Sequence, residues 1–114
     1  MTSLQKPISR AVEKRQKRSM KLQIERVVYR AVDQRDQYRC RECGARCSPS
    51  AASLLDRAHR HHIIFRSAGG ETTTANVLTL CSEAHADVHA HRLHITGDAN
   101  FPVRFEKDGR IWQG

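Results

Sequence analysis

Four histidines occur in two pairs whose spacing could build a metal-dependent active site. His61 and His62 are adjacent, whereas His85 and His89 are four residues apart. Residues four apart lie on one face of a helix, so His85 and His89 could bind one ion together. Adjacent residues of an extended strand point to opposite sides. We therefore expect different roles for His61 and His62, metal binding for one and proton transfer near neutral pH for the other.

The segments around these histidines predict two strands and a short helix. Residues 54–65 have the pattern of an extended segment, and they contain the first histidine pair. Residues 66–75 contain Gly-Gly and three threonines, which is typical of a loop. Residues 76–80 are expected as a short strand. Ser82 is the expected N-cap of a helix over about 82–91 that carries the second histidine pair.

The flanking segments predict one amphipathic helix and several short strands. Residues 1–20 are polar and basic, which favours a tail or a frayed helix. Residues 21–36 predict a helix, because apolar residues recur there at helical intervals, at Ile24, Val27, Val28, Ala31 and Val32. Residues 93–112 hold apolar stretches separated by two glycine-containing turns, as expected for antiparallel strands. The expected core beneath the hairpin and helix consists of Ile63, Ile64, Val77, Leu78, Leu80 and Val88.

The composition suits one small domain rather than a membrane protein. The chain has 114 residues, of which 39% are hydrophobic and 28% are charged. No apolar run approaches the roughly 20 residues that span a bilayer, and the basic N-terminus lacks the apolar stretch of a secretory signal. We therefore expect a tail at residues 1–20 and a single domain at residues 21–114, in a cytoplasmic protein. The four cysteines are then expected as thiols or metal ligands rather than disulfides.

The net charge of +8 is concentrated in the first part of the chain. Residues 1–50 hold 13 Lys and Arg against 5 Asp and Glu, whereas residues 51–114 hold 7 of each. A basic block favours a polyanionic partner, because binding releases condensed counterions. A solvated helix face would explain the same charges. The neighbouring candidate metal site favours a nucleic acid as the partner.

The ordered set of these residues resembles the HNH endonuclease family, whose core is the ββα-metal fold. The resemblance covers about residues 30–95. Its core motifs are residues 59–64 (His-Arg-His-His-Ile-Ile), Gly69-Gly70, residues 76–81 (Asn-Val-Leu-Thr-Leu-Cys), His85 and His89. Upstream, Arg35-Asp36 and residues 38–44 also resemble the family. It implies an α+β fold, with a small ββα-metal core over about residues 54–91, an N-terminal helix and short C-terminal antiparallel strands. Histidine at three metal positions is most similar to the colicin-type DNases of this family. The short length is more similar to a phage or prophage enzyme than to a restriction enzyme.

The resemblance implies a metal-dependent endonuclease that hydrolyses DNA phosphodiester bonds and leaves 5′-phosphate and 3′-hydroxyl ends. His61, His85 and His89 would bind one divalent ion, which would hold a nonbridging phosphate oxygen and the leaving 3′ oxygen. His62 would take a proton from the attacking water as the general base. Asn76 would hold the loop so that His62 stays aimed. These five residues form the candidate catalytic set.

The donor set also predicts which metals would bind. Three imidazoles favour Mn²⁺, Ni²⁺ or Co²⁺ over Mg²⁺, which prefers oxygen ligands, and Zn²⁺ would bind well. Three other functions are open, of which a metal-assisted hydrolase of another phosphoester is disfavoured because the basic N-terminal half favours a polymer. A catalytically inactive nucleic-acid-binding module of the same fold would lack part of the catalytic set, and a zinc-ribbon-like interaction protein would explain only the cysteines. A homodimer is also open, because one active centre cuts one strand and the helix at residues 21–36 could pair two copies.

Arginines near the first histidine pair are candidates for phosphate contacts. Arg57, Arg60 and Arg66 could each match phosphate geometry with two parallel hydrogen bonds, although an ordinary exposed arginine is an equal alternative for each. His59 lies on the same side of the strand as His61, which makes it a minor rival for the metal. His91 and His94 are expected as surface or structural residues.

The cysteines predict a structural zinc site that has lost one expected ligand. Many relatives carry two Cys-x-x-Cys pairs, and Cys40 with Cys43 forms the first pair here. The second pair begins at Cys81, but its partner position holds Ala84. Cys47 could supply the missing thiolate and complete a tetrahedral site with four sulfur ligands. The alternative is a degenerate site with free thiols.

Overall fold

The computed structural model describes residues 9–48 and 56–114 and has the predicted mixed α+β fold. A long helix precedes a two-stranded hairpin, a short helix and a three-stranded antiparallel sheet. In chain order the elements are α1 (Arg10–Asp36), β1 (His59–His62), a 3₁₀ turn (Arg66–Ala68), β2 (Val77–Leu80), α2 (Ser82–His89), β3 (His94–Thr96), β4 (Arg104–Lys107) and β5 (Arg110–Gln113). Residues 1–8 of the predicted tail and residues 54 and 55 of the predicted extended segment lie outside the described residues.

Helix α1 is longer than the sequence predicted. It begins at Arg10, where the Ser9 hydroxyl accepts a hydrogen bond from the Val12 amide at 3.2 Å, and it ends at Asp36 as predicted. Lys, Arg, Gln and Glu are strong helix formers, so a polar stretch can be helical without an apolar face. The described chain measures 67 × 31 × 24 Å, and every residue from 9 to 24 is exposed. The first half of α1 therefore projects from the body of the protein.

The apolar positions predicted for α1 are buried only near its C-terminal end. Val32 is fully buried, and Val28 and Ala31 are half-buried, where α1 packs on β2. Ile24 and Val27 are 50% and 71% exposed, because they lie in the part of α1 that precedes this contact. Although α1 has 27 residues, neither it nor another helix in the described residues is apolar enough to cross a membrane.

Strands β1 and β2 form the hairpin that presents the first histidine pair. They pair antiparallel, with His61 opposite Leu78. All four residues of β2 are buried, because α1 and α2 both pack against it. In the connecting loop, a Cβ at Gly70 would collide with the carbonyl group of Ile64. The second glycine of the Gly-Gly pair is therefore required by a close backbone approach.

The N-cap of α2 is Cys81, so the prediction of Ser82 as the cap is wrong. The Cys81 thiol accepts a hydrogen bond from the Ala84 amide at 3.4 Å, and Ser82 is the first helical residue. The Ser82 hydroxyl instead lies 2.9 Å from Nε2 of His59. The same thiol lies 3.9 Å from that of Cys43, so the start of α2 adjoins the Cys-x-x-Cys turn.

The C-terminal strands form the predicted antiparallel sheet and complete one core. The turn between β4 and β5 places Asp108 and Gly109 at positive φ values of 51° and 77°, as a two-residue hairpin turn requires. Phe105 is fully buried among the residues that pack beneath β2. The predicted core residues Val77, Leu78, Leu80 and Val88 are buried, and Ile63 is half-buried. Ile64 is 57% exposed, so its prediction as a core residue is wrong, because β1 ends before it.

Asp36 is a buried charge that joins α1 to β2. Its carboxylate accepts hydrogen bonds from Arg35 at 2.8 and 3.0 Å, from Arg41 at 3.0 Å and from the Thr79 amide at 3.0 Å. Burial alone would raise the pKa of Asp36, but the hydrogen bond and charge of Arg35, together with Thr79 and Arg41, lower it below its usual 3.8. The ionised carboxylate therefore stabilises the folded state.

Replacing Asp36 with asparagine should lower the free energy of unfolding by about 3 kcal/mol, because two arginines lose a buried partner. The Arg35 and Arg41 side chains are 23% and 16% exposed, which keeps the loss near the lower end for buried pairs. Because the folded-state pKa is lowered, this stabilisation is complete above the unfolded value and is lost as the pH falls through the folded value. Denaturation at pH 7 and at pH 3 should therefore differ more for the wild type than for Asp36→Asn. If the stability of the two proteins depended equally on pH, the ionised Asp36 carboxylate would not be what stabilises the fold.

Candidate metal and catalytic site

Three histidine rings converge between β1 and α2. Strand β1 supplies His61, and one face of α2 supplies His85 and His89. One ring nitrogen of each histidine lies within 4.8 Å of those of the other two, and the Nε2 atoms of His85 and His89 are 3.0 Å apart. Nitrogens that share one tetrahedral ion lie roughly 3.3 Å apart. The structure thus brings the three predicted ligands together, with the His85 and His89 nitrogens near the separation that one ion requires.

The electrostatics of His61 and His85 favour the neutral form that binds metal. Burial lowers the pKa of His61 to about 4, and the charges of His85 and His89 add to this effect. Burial likewise lowers the pKa of His85 to about 4, with further contributions from His59 and His89. At neutral pH these imidazoles offer a lone pair without first releasing a proton.

Two further aromatic rings hold the three histidines in place. The ring of Phe65 stacks on His89 at a centroid distance of 5.7 Å and meets His61 edge-on at 5.6 Å. His59 stacks on His85 at 4.5 Å. His59 was expected as a minor rival for the metal, but it is not one of the three histidines whose nitrogens converge. Its contact is with a ligand ring instead.

His62 lies in the same cleft as the three converging histidines. Its Nε2 is 3.0 Å from the Thr72 hydroxyl and accepts a hydrogen bond from Nε of Arg66 at 3.2 Å. Burial and the positive charge of Arg66 lower the pKa of His62, whereas Glu25 opposes this shift. A neutral imidazole with an unprotonated nitrogen in the cleft can accept a proton. The cleft has a volume of about 390 Å³ and is lined by Arg60, His61, His62, Phe65, Arg66, Ser67, His85 and His89.

Asn76 fixes the loop that follows His62. Its Oδ1 accepts a hydrogen bond from the Ile64 amide at 2.8 Å. Its Nδ2 donates to the carbonyl groups of Ile64 and Glu71 at 3.0 and 2.9 Å. These bonds hold both backbone polar groups of the residue two positions after His62. They are consistent with a residue that positions His62 through the backbone rather than by direct contact.

A polar stripe on α1 reaches the cleft, and the apolar periodicity of residues 21–36 did not indicate it. Glu25, Tyr29 and Asp33 follow one another at intervals of four and share one helix face. Nη2 of Arg66 lies 3.1 Å from the Glu25 carboxylate and donates to the Tyr29 hydroxyl. Arg60 donates to both Asp33 oxygens at 2.9 and 2.6 Å. In the sequence, the interval of four between these polar residues was the signal that could have indicated this helix face.

Two of the three arginines predicted to contact phosphate are therefore paired within the protein. Arg60 is bound to Asp33, and its guanidinium lies 5.3 Å from the ring centroid of Tyr29. The Arg66 side chain remains 44% exposed beside His62, so one side of it is open to a ligand. Arg57 is exposed and forms an isolated backbone bridge with Ser48.

Three cysteines form a second candidate metal group. The sulfur atoms of Cys40, Cys43 and Cys81 all lie within 4.8 Å of one another, and those of Cys43 and Cys81 are 3.9 Å apart. Cys47 is not part of this group, and its thiol donates to the Ala45 carbonyl at 3.6 Å. Burial raises the pKa of Cys47, and the charges of Cys81 and Cys43 raise it further.

Comparison with known proteins identifies one family in this part of the chain. Residues 40–91 match the family model described as HNH endonuclease. This segment contains the three converging histidines, His62, Asn76 and the four cysteines. A search of curated proteins and a search of solved structures both find no match.

Proposed function

Because residues 40–91 match the HNH endonuclease family, we propose that this chain is a metal-dependent endonuclease that hydrolyses DNA phosphodiester bonds and leaves 5′-phosphate and 3′-hydroxyl ends. An HNH domain indicates nuclease activity and metal binding. The observation that carries the proposal is the convergence of His61, His85 and His89 in a cleft that also contains His62.

His62 is the proposed general base. Its Nε2 is unprotonated where Arg66 donates to it. Once Arg66 turns from this nitrogen to the phosphate, the freed lone pair can accept a proton from the water that attacks the phosphorus atom. Asn76 keeps His62 aimed by fixing the backbone that follows it. A divalent ion held by the three converging histidines would stabilise the charge on the phosphate and on the leaving 3′ oxygen.

Phosphate binding next to this cleft is assigned to Arg66 first. Its guanidinium borders His62 and keeps one open side, so it can contact the scissile phosphate while Glu25 orients it. Arg60 and Arg57 are proposed to contact flanking phosphates. Arg60 would do so while still bound to Asp33, since a guanidinium has five N–H donors and Asp33 receives two.

Cleavage of supercoiled plasmid tests the proposed function. The full chain should nick plasmid with Mn²⁺, Ni²⁺ or Co²⁺ at a rate that equals or exceeds the rate with Mg²⁺, because the proposed ligands are imidazoles. Zn²⁺ should compete for the same site. EDTA should abolish the nicking. Gel retardation without nicking under any metal would favour an inactive nucleic-acid-binding module, and neither effect would favour an interaction protein.

We also propose a structural zinc ion bound by Cys40, Cys43 and Cys81, with Cys47 as the fourth ligand. Three sulfur atoms already lie within 4.8 Å of one another, and four thiolates would make a closed tetrahedral site. Ala84 has no donor atom, so the fourth ligand must come from elsewhere. Cys47 would supply it by leaving its contact with the Ala45 carbonyl.

Replacing Cys43 with serine should remove tightly bound zinc and lower the Tm by about 10 °C or more, because a structural zinc site contributes folding free energy. Zinc content measured by atomic emission and Tm measured by calorimetry give the two readouts. Cys47→Ser should have the same effect if Cys47 is the fourth ligand. His89→Ala is the matched control, since it should leave this zinc in place. A wild-type protein that purifies without zinc and cannot be loaded with it would contradict the proposal.

Three broader predictions remain. A homodimer is supported by the apolar residues Met20, Ile24 and Val27, which recur along one side of α1 and are 61%, 50% and 71% exposed. Pairing through them would place two active centres in one complex, as cleavage of both DNA strands by one complex requires. A cytoplasmic location and a phage or prophage origin stay predictions from the sequence.

A further inference from the structure

The cleft itself offers little free positive charge to a DNA molecule. Residues 51–114, which contain most of the cleft, hold seven basic and seven acidic residues. Arg60 is paired with Asp33, and Arg66 is paired with Glu25. Affinity for nucleic acid depends chiefly on basic residues that neutralise phosphates. The excess charge that could bind DNA must therefore lie outside the cleft.

The projecting half of α1 carries this excess charge. Residues 10–24 contain six Lys and Arg against one Glu, and all of them are exposed. Three of the six form a line, which we call the basic stripe, consisting of Lys14, Arg18 and Lys21. Their intervals of four and three place them on one helix face. No residue in the described part of the chain covers this face.

The basic stripe runs directly into the active cleft. Continuing by intervals of four, the face that carries Lys21 next presents Glu25 and then Tyr29. Those two residues hold Arg66, whose Nε donates to His62. A phosphate backbone that leaves the cleft past Arg66 would therefore meet Lys21, Arg18 and Lys14 in succession.

We propose that the first half of α1 is a DNA-binding arm, which follows duplex DNA on one side of the cleaved phosphate. The inference rests on the proposed DNA cleavage and adds that the substrate is duplex DNA. The twelve residues from Lys14 to Glu25 are separated by eleven helical steps, which span about 16 Å at 1.5 Å per step. That length matches roughly five base pairs at 3.4 Å each. A stiff duplex stays alongside a straight helix over this distance without bending, whereas a flexible single strand would first have to be ordered along it.

Salt-dependent binding of the full chain to a duplex of about 20 base pairs, without metal, tests the arm. The variant Lys14→Gln/Arg18→Gln/Lys21→Gln should bind roughly 10- to 100-fold more weakly at 0.1 M salt, and the slope of log K against log salt should fall by about 3. Glutamine keeps a high helix propensity, and these side chains are exposed, so the fold is expected to persist. A duplex of about 8 base pairs would cover the cleft alone. On it, the affinities of the wild type and the triple variant should differ much less.

A charge-matched control separates the arm from net charge. Arg15→Gln/Arg26→Gln/Arg30→Gln removes three positive charges from other faces of α1, and it should change the slope by less than about 1. Equal slopes for the two triple variants, or an unchanged slope for the basic stripe, would overturn the inference. Plasmid nicking with an unchanged slope would overturn the arm while leaving the nuclease proposal intact. Stripe-dependent duplex binding without nicking would support the arm and contradict the nuclease.

Discussion

Replacing His62 with alanine should lower the rate of DNA cleavage about 10²- to 10⁴-fold, because the attacking water loses its proton acceptor. The affinity for Mn²⁺ or Ni²⁺ should stay nearly unchanged, since the three nitrogens that converge belong to His61, His85 and His89. Nicking rates at saturating metal, together with metal titration by calorimetry, separate the two effects. Added imidazole should restore part of the rate, because the lost side chain leaves space in a cleft of about 390 Å³.

The matched control for this experiment is His94→Ala. His94 is exposed on β3, away from the residues that line the cleft, and its loss should change neither readout. A metal affinity that falls as steeply as the rate would assign His62 to the ligands instead. A rate within a factor of two or three of wild type would remove His62 from the chemistry altogether.

The parts of the site that depend on local periodicity are predictable from the sequence. His85 and His89 meet because an eight-residue helix places positions four apart on one face, which requires no knowledge of the rest of the fold. His61 precedes a turn that Gly70 permits, so the hairpin and the order of its strands also follow from nearby residues. Convergence of the rings then follows from the short connection between β2 and α2.

Contacts between distant segments are not predictable in the same way. Arg66 meets Tyr29 across 37 positions, and Arg60 meets Asp33 across 27. A list of charges cannot show which acid will lie opposite which arginine. Both arginines therefore looked free for phosphate in the sequence, whereas the structure holds each of them against α1.

The predicted boundaries of the helices were wrong where burial does not determine the structure. The first half of α1 buries nothing, so no apolar period marks it, and its helix depends on side-chain propensity and the Ser9 cap. Serine is also a stronger cap signal than cysteine, which is why Ser82 was predicted in place of Cys81. The Cys81 sulfur that caps α2 also lies 3.9 Å from that of Cys43, a contact between distant segments that the cap signal does not reveal.

Replacing His89 with alanine should reduce metal affinity by at least about 10²-fold, beyond the usual loss for residues that only support a ligand. His89 is the exposed member of the converging three, so its removal disturbs the core least. At metal concentrations that saturate the wild type, cleavage should fall to background. Raising the concentration of Mn²⁺ should recover part of the activity, because two ligands and His62 remain. Nicking measured against metal concentration gives both results.

This recovery distinguishes the two histidine variants. Excess metal should help His89→Ala but not His62→Ala, whereas added imidazole at saturating metal should help His62→Ala more. The contrast arises because one side chain holds the ion and the other moves a proton, although both border the same cleft. If His89→Ala kept wild-type metal affinity, the convergence of three ring nitrogens would have no metal-binding role, and the proposed endonuclease would lose its main support.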